Sequence, residues 1–304
     1  MTLVDCGPDT REAYAAVRDG LTGAGFGIAD LERIVITHAH VDHSGLAPRL
    51  QAQSGARVLA HGQAIHALED WPATWRSRLD LVDVAAKASA VPAELREAYA
   101  DGALPMAALG ASLRADVCTP LVDGQSPRLG GRRWRILHTP GHSRDHLCLF
   151  DPRTGDLLSG DLLFRHLPTP LLLEPRRSDG GRPDTLAALI ASWRRIGRLD
   201  VTRVWPGHGT PLRAHRVQLA RRLAEARDGV RQTREALRGG ASTVWEVAEA
   251  TGLPLKANRL ALVLGLVVAR LDWLAERGLA ERRLEGAQLR FAPRTPRRGA
   301  RSRR

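Results

Sequence analysis

Four potential metal ligands lie within six residues of one another: His38, His40, Asp42 and His43. The apolar run at 34–36 that precedes them is typical of a strand. Side chains two residues apart on extended backbone share a face, so His38 and His40 can point the same way. A turn after them can present Asp42 and His43 to a neighbouring position. The spacing therefore predicts half of each of two adjacent metal sites.

Three further potential ligands each lie beside glycine in a loop that follows a predicted strand: His142, Asp161 and His208. Glycine lets the backbone turn sharply and approach an ion closely. Loops at one edge of a rigid sheet are where α/β proteins usually place functional residues. Imidazole and carboxylate suit Zn²⁺, and an open coordination position admits a water molecule. Such a water ionises near neutral pH and attacks a carbonyl or phosphoryl group, so the seven residues predict a metal-dependent hydrolase.

The elements that must position these residues alternate between strand and helix. The pattern predicts strands at 3–7, 31–36 and 57–60, and helices at 11–22, 44–53 and 62–69, with Asp9 or Thr10 as the first cap. It predicts further strands at 119–123, 132–138, 146–150, 156–160 and 203–205, and a helix at 184–199. This alternation is typical of a layered α/β fold.

Residues 71–115 interrupt the alternation. They are rich in Ala and Leu and are broken by three prolines, so they predict two or three short helices. Such an insertion is either a pocket wall or a surface decoration. Residues 1–212, including this insertion, are interpreted as one metal-dependent hydrolase domain.

A different pattern follows residue 212. It predicts helices at 213–238, 244–250 and 257–277 and then a short hairpin, 279–284 with 288–291. Three helices and a small hairpin are the order of a winged helix, so residues 213–293 are interpreted as a second, winged-helix-like α+β domain. Residues 294–304 hold six Arg and no acid, and we expect a basic disordered tail.

Composition excludes several classes of protein. The 304 residues are enough for a full core, and no apolar run is long enough to span a membrane. Three distant cysteines fit neither a disulfide framework nor a CxxC zinc site, and no signal peptide is evident, so we expect a cytoplasmic protein. The net charge of +12 reflects a chain-wide arginine bias more than a nucleic-acid footprint.

Residues 3–211 resemble the metallo-β-lactamase superfamily. The resemblance covers its five signature positions, in order and in loop context: Asp5, the run from His38 to His43, His142, Asp161 and His208. It implies a four-layer αβ/βα sandwich. It also implies the ligand sets, namely one metal held by His38, His40 and His142, a second held by Asp42, His43 and His208, and Asp161 bridging both.

The resemblance implies two Zn²⁺ per chain, although Fe and Mn also suit these donors. Asp42 and Asp161 are the expected catalytic carboxylates. Their two negative charges neutralise a pair of dications only in part, so the metal ions stay Lewis acidic. Asp5 is expected to be structural, tying the first turn beneath the metal loops. His146 is expected to be a core residue, although a contact with the His142 loop is the alternative.

The chain departs from the family at its beginning. Members usually start with a pair of strands before the segment that matches residues 3–7, whereas Met1 falls almost on that segment here. We expect either a late start or the absence of an edge hairpin, which would expose a strand edge. Poor solubility, or a homodimer through this edge, is the expected consequence.

Acyl hydrolysis of a thioester, ester or lactone is the favoured reaction, with a small molecule as the substrate. The insertion at 71–115 motivates it, because its apolar side chains could line a pocket. The predicted substrate-binding residues are Trp71, Trp75, Arg165 and His166. The C-terminal region resembles the winged helix of a subgroup of the superfamily that includes glyoxalase-II-like hydrolases and one endoribonuclease branch.

Two other classes of function stay open. The first is an endoribonuclease or single-strand nuclease, for which the candidate phosphate-binding residues are Arg144, Arg165, Arg176 and Arg177. The low aromatic content of 4% counts against base stacking. The second is a DNA-binding winged helix with a sensor-like front domain. Its candidate reading helix, 257–277, is mostly Leu, Val and Ala, which is typical of a core helix or a dimer face. Other chemistry, such as iron-dependent sulfur oxidation, is a further alternative.

Overall fold

The structure is a computed structural model that describes residues 1–176, 181–253 and 255–294. Its strands are β1 (Thr2–Val4), β2 (Arg33–Val35), β3 (Arg57–His61), β4 (Cys118–Leu121), β5 (Arg128–Leu129), β6 (Arg132–Arg133), β7 (Arg135–His138), β8 (Leu147–Asp151), β9 (Asp156–Gly160), β10 (Arg203–Pro206), β11 (Ala280–Glu285) and β12 (Gln288–Pro293). Its α-helices are α1 (Arg11–Gly23), α2 (Val41–Ser44), α3 (Ala47–Ser54), α4 (Gly62–Glu69), α5 (Trp71–Ala88), α6 (Ala93–Ala103), α7 (Thr185–Gly197), α8 (His215–Arg238), α9 (Val244–Ala250) and α10 (Leu260–Glu276).

The chain divides into two compact units. The first unit comprises Met1–Leu79, Asp101–Pro170 and Ala188–Arg221, and the second comprises Asp80–Ala100, Leu171–Ala187 and the chain from Arg222 onward. This division differs from a single boundary at residue 212, because part of the 71–115 insertion belongs to the second unit.

Two four-stranded sheets form the first unit. One sheet is parallel throughout, in the order β1-β2-β3-β4. The other has the order β10-β9-β8-β7, in which only β10 and β9 are parallel. The alternation of strand and helix thus predicted the α/β class correctly. Strand β1 lies at a sheet edge, and association through this edge stays a prediction.

Period-two alternation in β2 and β3 divides the core of the first unit. Val35 and Leu59 pack with Ile136 and Leu149 of the other sheet, in a layer between the two sheets. Alternate residues of the same strands face the helical layer, which contributes Leu21, Leu46 and Leu50. The first helix begins where the sequence predicts, since Thr10 Oγ1 accepts the Ala13 N–H at 3.1 Å. Rigid strands buried on both faces hold the loops at their ends in place.

Helix α10 forms the centre of the second unit. Its Leu264, Val267 and Leu271 are buried and pack with Val247 of α9 and Phe291 of β12. The prediction that this helix is a core element is confirmed. The helices and the hairpin follow in the predicted order, and the designation of winged helix stays a prediction.

The 71–115 insertion is helical, as predicted, but its parts pack in different places. Helices α5 and α6 occupy most of it, from Trp71 to Ala103. Val82, Ala86 and Val91 are buried in the core of the second unit. These apolar residues of the insertion therefore contribute to that core.

The predicted tail lies outside the described residues apart from Arg294, as does Arg177. Cys6, Cys118 and Cys148 are buried free thiols, as their spacing predicted. Among the described residues, none of the helices has both the length and the apolar character that crossing a membrane requires.

A capping box begins α9 and gives a testable pH dependence. Glu246 accepts hydrogen bonds from the backbone N–H of Ser242 at 2.7 Å and of Thr243 at 3.0 Å, and these bonds lower its pKa below 4.5. Its stabilising effect is therefore complete above pH 4.5 and is lost as the pH falls through the lowered value. We expect Glu246→Gln to reduce the free energy of unfolding by about 1 kcal/mol at pH 7 and by less at pH 3, measured by denaturant titration. Glu249→Gln on the same helix is the control, and an equal effect at both pH values would contradict the prediction.

Candidate metal centre

All seven predicted ligands lie on segments that follow strands of the first unit. His38 and His40 follow β2, His142 follows β7, Asp161 follows β9 and His208 follows β10. Asp42 and His43 lie in α2, a single helical turn for which the extended His40 is the N-cap. Sequence analysis placed the beginning of the helix at residue 44, so the helix starts three residues earlier than predicted. This turn brings the His43 ring within 4.1 Å of the His38 ring, measured between centroids.

The first group consists of three imidazoles. His142 Nε2 lies 3.1 Å from His38 Nε2 and 2.9 Å from His40 Nδ1. Nitrogen ligands at the usual 2.0–2.1 Å from a tetrahedral Zn²⁺ would be about 3.3 Å apart. The three nitrogens therefore have nearly the spacing of ligands around one ion.

The second group lies beside the first. His208 Nε2 is 3.1 Å from Asp42 Oδ2, and His43 Nε2 is 3.8 Å from the same oxygen. The ligand atoms of these three residues lie within 4.8 Å of one another. This distance leaves room for an ion between them.

Asp161 joins the two groups. Its Oδ1 lies 3.2 Å from His43 Nε2, and its Oδ2 lies 3.5 Å from His142 Nε2. Within the described part of the chain, Asp161 Oδ1 and His43 Nε2 are buried without a hydrogen-bond partner. Leaving such an atom unsatisfied costs about 1–3 kcal/mol, so the donor set fits a divalent ion on each side of Asp161.

Glycine permits the close approach of the His208 loop. A Cβ on Gly207 would lie 2.6 Å from both Asp161 Oδ1 and His43 Cε1. Any larger residue would push this loop away from the carboxylate. The glycine that marked His208 as a candidate in the sequence therefore has a steric role.

Asp5 is a common hydrogen-bond acceptor for both groups. It accepts the Thr37 backbone N–H and hydroxyl at 2.8 Å each, and the His43 Nδ1–H at 2.8 Å. Because the Thr37 hydroxyl donates to Asp5, it accepts from His38 Nδ1 at 3.0 Å. These bonds turn Nε2 of both imidazoles toward the centre. Sequence analysis predicted a structural role for Asp5 but not this orientation of two ligands.

His146 holds the backbone of Asp161. Its Nε2 accepts the Asp161 N–H at 3.0 Å, so its Nδ1–H donates to Thr139 Oγ1 at 2.8 Å. Burial lowers the pKa of His146 well below its usual value, which keeps the ring neutral as this acceptor role requires. The predicted core placement is observed, whereas the contact with Asp161 was missed. A second histidine four residues after His142 was the available signal.

Burial and the two carboxylates set the charge states of the imidazoles at the centre. Burial, with His43 as the strongest charged neighbour, lowers the pKa of His38, so this imidazole is neutral. Burial opposes ionisation of Asp42 and Asp161, but the hydrogen bond from His208 to Asp42 and the positive charge of His43 beside Asp161 outweigh it and lower the pKa of both carboxyls. Burial by itself would lower the pKa of His43, but the neighbouring Asp161 and Asp5 outweigh it and raise this pKa to about 11.

The predicted substrate-binding residues have different environments. Trp71 is 2% exposed and donates its indole N–H to the Ala107 carbonyl at 2.8 Å. Trp75 is half-buried, and its ring lies 5.5 Å from that of Trp71. Arg165 is exposed and donates to the Pro211 carbonyl at 3.1 Å, and His166 is exposed. No hydrogen bond, ion pair or ring contact in the described segments joins these four residues to the seven.

Known proteins are similar to this chain in sequence and in fold. The family model described as "Metallo-beta-lactamase superfamily" matches residues 2–208. A relative named probable metallo-hydrolase YqjP, from Bacillus subtilis, is 28% identical over 282 residues, which are 90% of this chain and 84% of the relative. An acyl-coenzyme A thioesterase of Bos taurus is 28% identical over 188 residues, 60% of this chain and 58% of the relative.

A solved structure of similar fold is a beta-lactamase domain protein from Burkholderia ambifaria. It superposes with a TM-score of 0.81 at 21% identity, covering 96% of this chain and 83% of its own. The family match spans all seven converging residues, in a sandwich of the expected α/β class. The chain belongs to the metallo-beta-lactamase superfamily, with a candidate metal-binding site formed by the two His and Asp groups.

Proposed function

We propose that this chain is a binuclear metal-dependent hydrolase that acts on an acyl substrate, a thioester or an ester. The position of Asp161 carries the proposal, since each of its oxygens faces a different group of potential ligands. A carboxylate in this position would be shared by two ions, the arrangement of two-metal hydrolytic sites. The similarity to a probable metallo-hydrolase and to an acyl-coenzyme A thioesterase supports acyl hydrolysis.

Each residue has a defined part in this mechanism. One ion would be held by His38, His40 and His142, and the other by Asp42, His43 and His208, with Asp161 between them. When bound, Zn²⁺, Fe or Mn supplies Lewis acidity and a water of lowered pKa.

The surrounding residues orient these ligands. Asp5 and Thr37 fix the ring orientation of His43 and His38, and His146 fixes the backbone of Asp161. Burial of His38 and Asp161 restricts water at the centre, which strengthens electrostatic interactions with the substrate.

Metal removal tests the proposal. We expect purified protein to contain close to two equivalents of metal and to hydrolyse acyl thioesters. Dialysis against a chelator should abolish the activity, and added Zn²⁺, Fe²⁺ or Mn²⁺ should restore it. Circular dichroism before and after dialysis controls for unfolding. Full activity in metal-free protein would contradict the proposal.

A substrate panel separates the two enzymatic alternatives. One preparation is assayed against acyl thioesters and against a labelled single-stranded RNA. Hydrolysis of the thioesters alone is the expected result, and cleavage of RNA alone would favour the nuclease. The buried apolar face of α10 argues against a DNA-reading role for that helix.

A further inference from the structure

The His142 loop comprises residues 139–146 between β7 and β8 and carries one ligand of the first group. Directly after the loop, the Leu147 N–H donates to the Thr37 carbonyl at 2.8 Å. Within the loop, the His142 Nδ1–H donates to the Pro170 carbonyl at 2.9 Å, which turns Nε2 toward the centre. These bonds fix the ring of His142 and one end of the loop that carries it.

Asp145 makes a further contact, between the His142 loop and the segment that carries His38 and His40. Its carboxylate Oδ2 accepts the Ala39 N–H at 2.8 Å. Asp145 is 5% exposed and Ala39 is 1% exposed. Because both groups are shielded from water, no solvent molecule would replace the carboxylate as the acceptor of this N–H.

Ala39 lies between two ligands of the first group. A bond that fixes its backbone N–H also fixes the chain from which the His38 and His40 side chains project. His142 Nε2 lies 3.1 Å from the nitrogen of His38 and 2.9 Å from that of His40. Both distances run between two separate segments of chain, and Asp145 joins these segments directly. The spacing of the three nitrogens therefore depends on this bond.

Asp145 and Asp5 act on different parts of the centre. Asp5 accepts from the Thr37 hydroxyl and from His43, so its bonds reach both groups of ligands. Asp145 bonds to the backbone between two ligands of the first group. Loss of Asp145 should therefore affect the first group alone.

We propose that Asp145 is a positioning residue for the metal ion of the first group. Its carboxylate holds the His142 loop against the segment from His38 to His40, and so sets the spacing of the three imidazoles before an ion binds. The inference rests on the proposed function, because it requires these imidazoles to hold a metal ion. The role belongs to the hydrogen bond with Ala39 and not to the negative charge.

Two substitutions separate the hydrogen bond from the charge. Asp145→Ala removes the acceptor, whereas Asp145→Asn removes the charge and keeps a carbonyl oxygen for the Ala39 N–H. Asp151→Ala is the matched control. Asp151 is also a buried aspartate of the first unit, and it accepts the Arg153 backbone N–H at 2.8 Å.

We expect Asp145→Ala to weaken Zn²⁺ binding about 10- to 100-fold, measured by competition with a chromophoric chelator. Asp145→Asn and Asp151→Ala should stay within about threefold of wild type. The same substitution in two backgrounds locates the effect. The loss should persist with Asp42→Ala, which disables the second group, and should disappear with His40→Ala, which disables the first.

Nuclear magnetic resonance of the metal-free protein gives a readout that needs neither metal nor substrate. Asp145→Ala should speed hydrogen exchange of the Ala39 amide about tenfold or more and shift the imidazole resonances of His38 and His142. Asp145→Asn should leave the exchange rate and the resonances near those of wild type. Circular dichroism detects a variant that does not fold. Asp145→Glu then replaces Asp145→Ala with the same expected loss, because it moves the acceptor by one methylene.

Wild-type affinity in Asp145→Ala would overturn the inference. An equal loss in Asp145→Ala and Asp145→Asn would also overturn it, because the charge would then be responsible. Wild type that binds metal but hydrolyses no thioester contradicts the proposed function and leaves the affinity test intact. If wild type binds no metal, the proposed function fails and the metal-free readout decides: faster Ala39 exchange in Asp145→Ala supports the inference, and unchanged exchange contradicts it.

Discussion

Replacing Asp161 with alanine is expected to reduce thioester hydrolysis about 10³-fold or more and to lower the metal content well below two per chain. The carboxylate is the only described side chain with one oxygen toward each group of potential ligands. Two-metal sites supply several kcal/mol of charge stabilisation in the transition state, and each 1.36 kcal/mol is a tenfold change in rate. Metal analysis and steady-state kinetics on one preparation measure both effects.

Asp19→Ala is the control for the Asp161 variant. Asp19 is an exposed aspartate on α1 whose recorded ion pair is with its neighbour Arg18. We expect wild-type metal content and rate for this variant. An Asp161→Ala protein that keeps two metals and full activity would show that the two groups do not act together.

Replacing Asp5 with asparagine is expected to weaken metal binding about 10- to 100-fold without unfolding the protein. Asparagine has the same shape and tolerates the left-handed backbone at this position, where φ is +54°. Its carbonyl oxygen can still accept the Thr37 N–H. Its NH₂ group cannot accept from the Thr37 hydroxyl or from His43 Nδ1, so the orientation of His38 and His43 is lost.

Competition with a chromophoric chelator measures this affinity, and thermal unfolding of the metal-free protein measures stability. Asp9→Asn, a change in a nearby acid whose ion-pair partner is Arg49, should leave metal affinity unchanged. Unaltered affinity in Asp5→Asn would show that Asp5 only supports the turn.

Local sequence patterns were sufficient to predict the helices and strands of the fold and the candidate metal ligands. Alternation in β2 and β3 divides residues between two faces of a sheet, and this division depends only on neighbours in the chain. The apolar character of α10 likewise predicted its burial. The sequence pattern did not predict the beginning of α2 at Val41. Its N-cap, His40, is not one of the residue types that usually begin a helix.

The sequence by itself determined the class of fold, the family resemblance and the seven candidate ligands, because residue type and short spacing encode them. Only the tertiary structure showed which nitrogen of each imidazole faces the centre, since Asp5 and Thr37 orient His43 and His38 through bonds that span over thirty residues. It alone showed that His146 supports Asp161 and that Trp71 is a packing residue. These properties depend on groups that are distant in the chain and meet only after folding, so no local pattern can contain them.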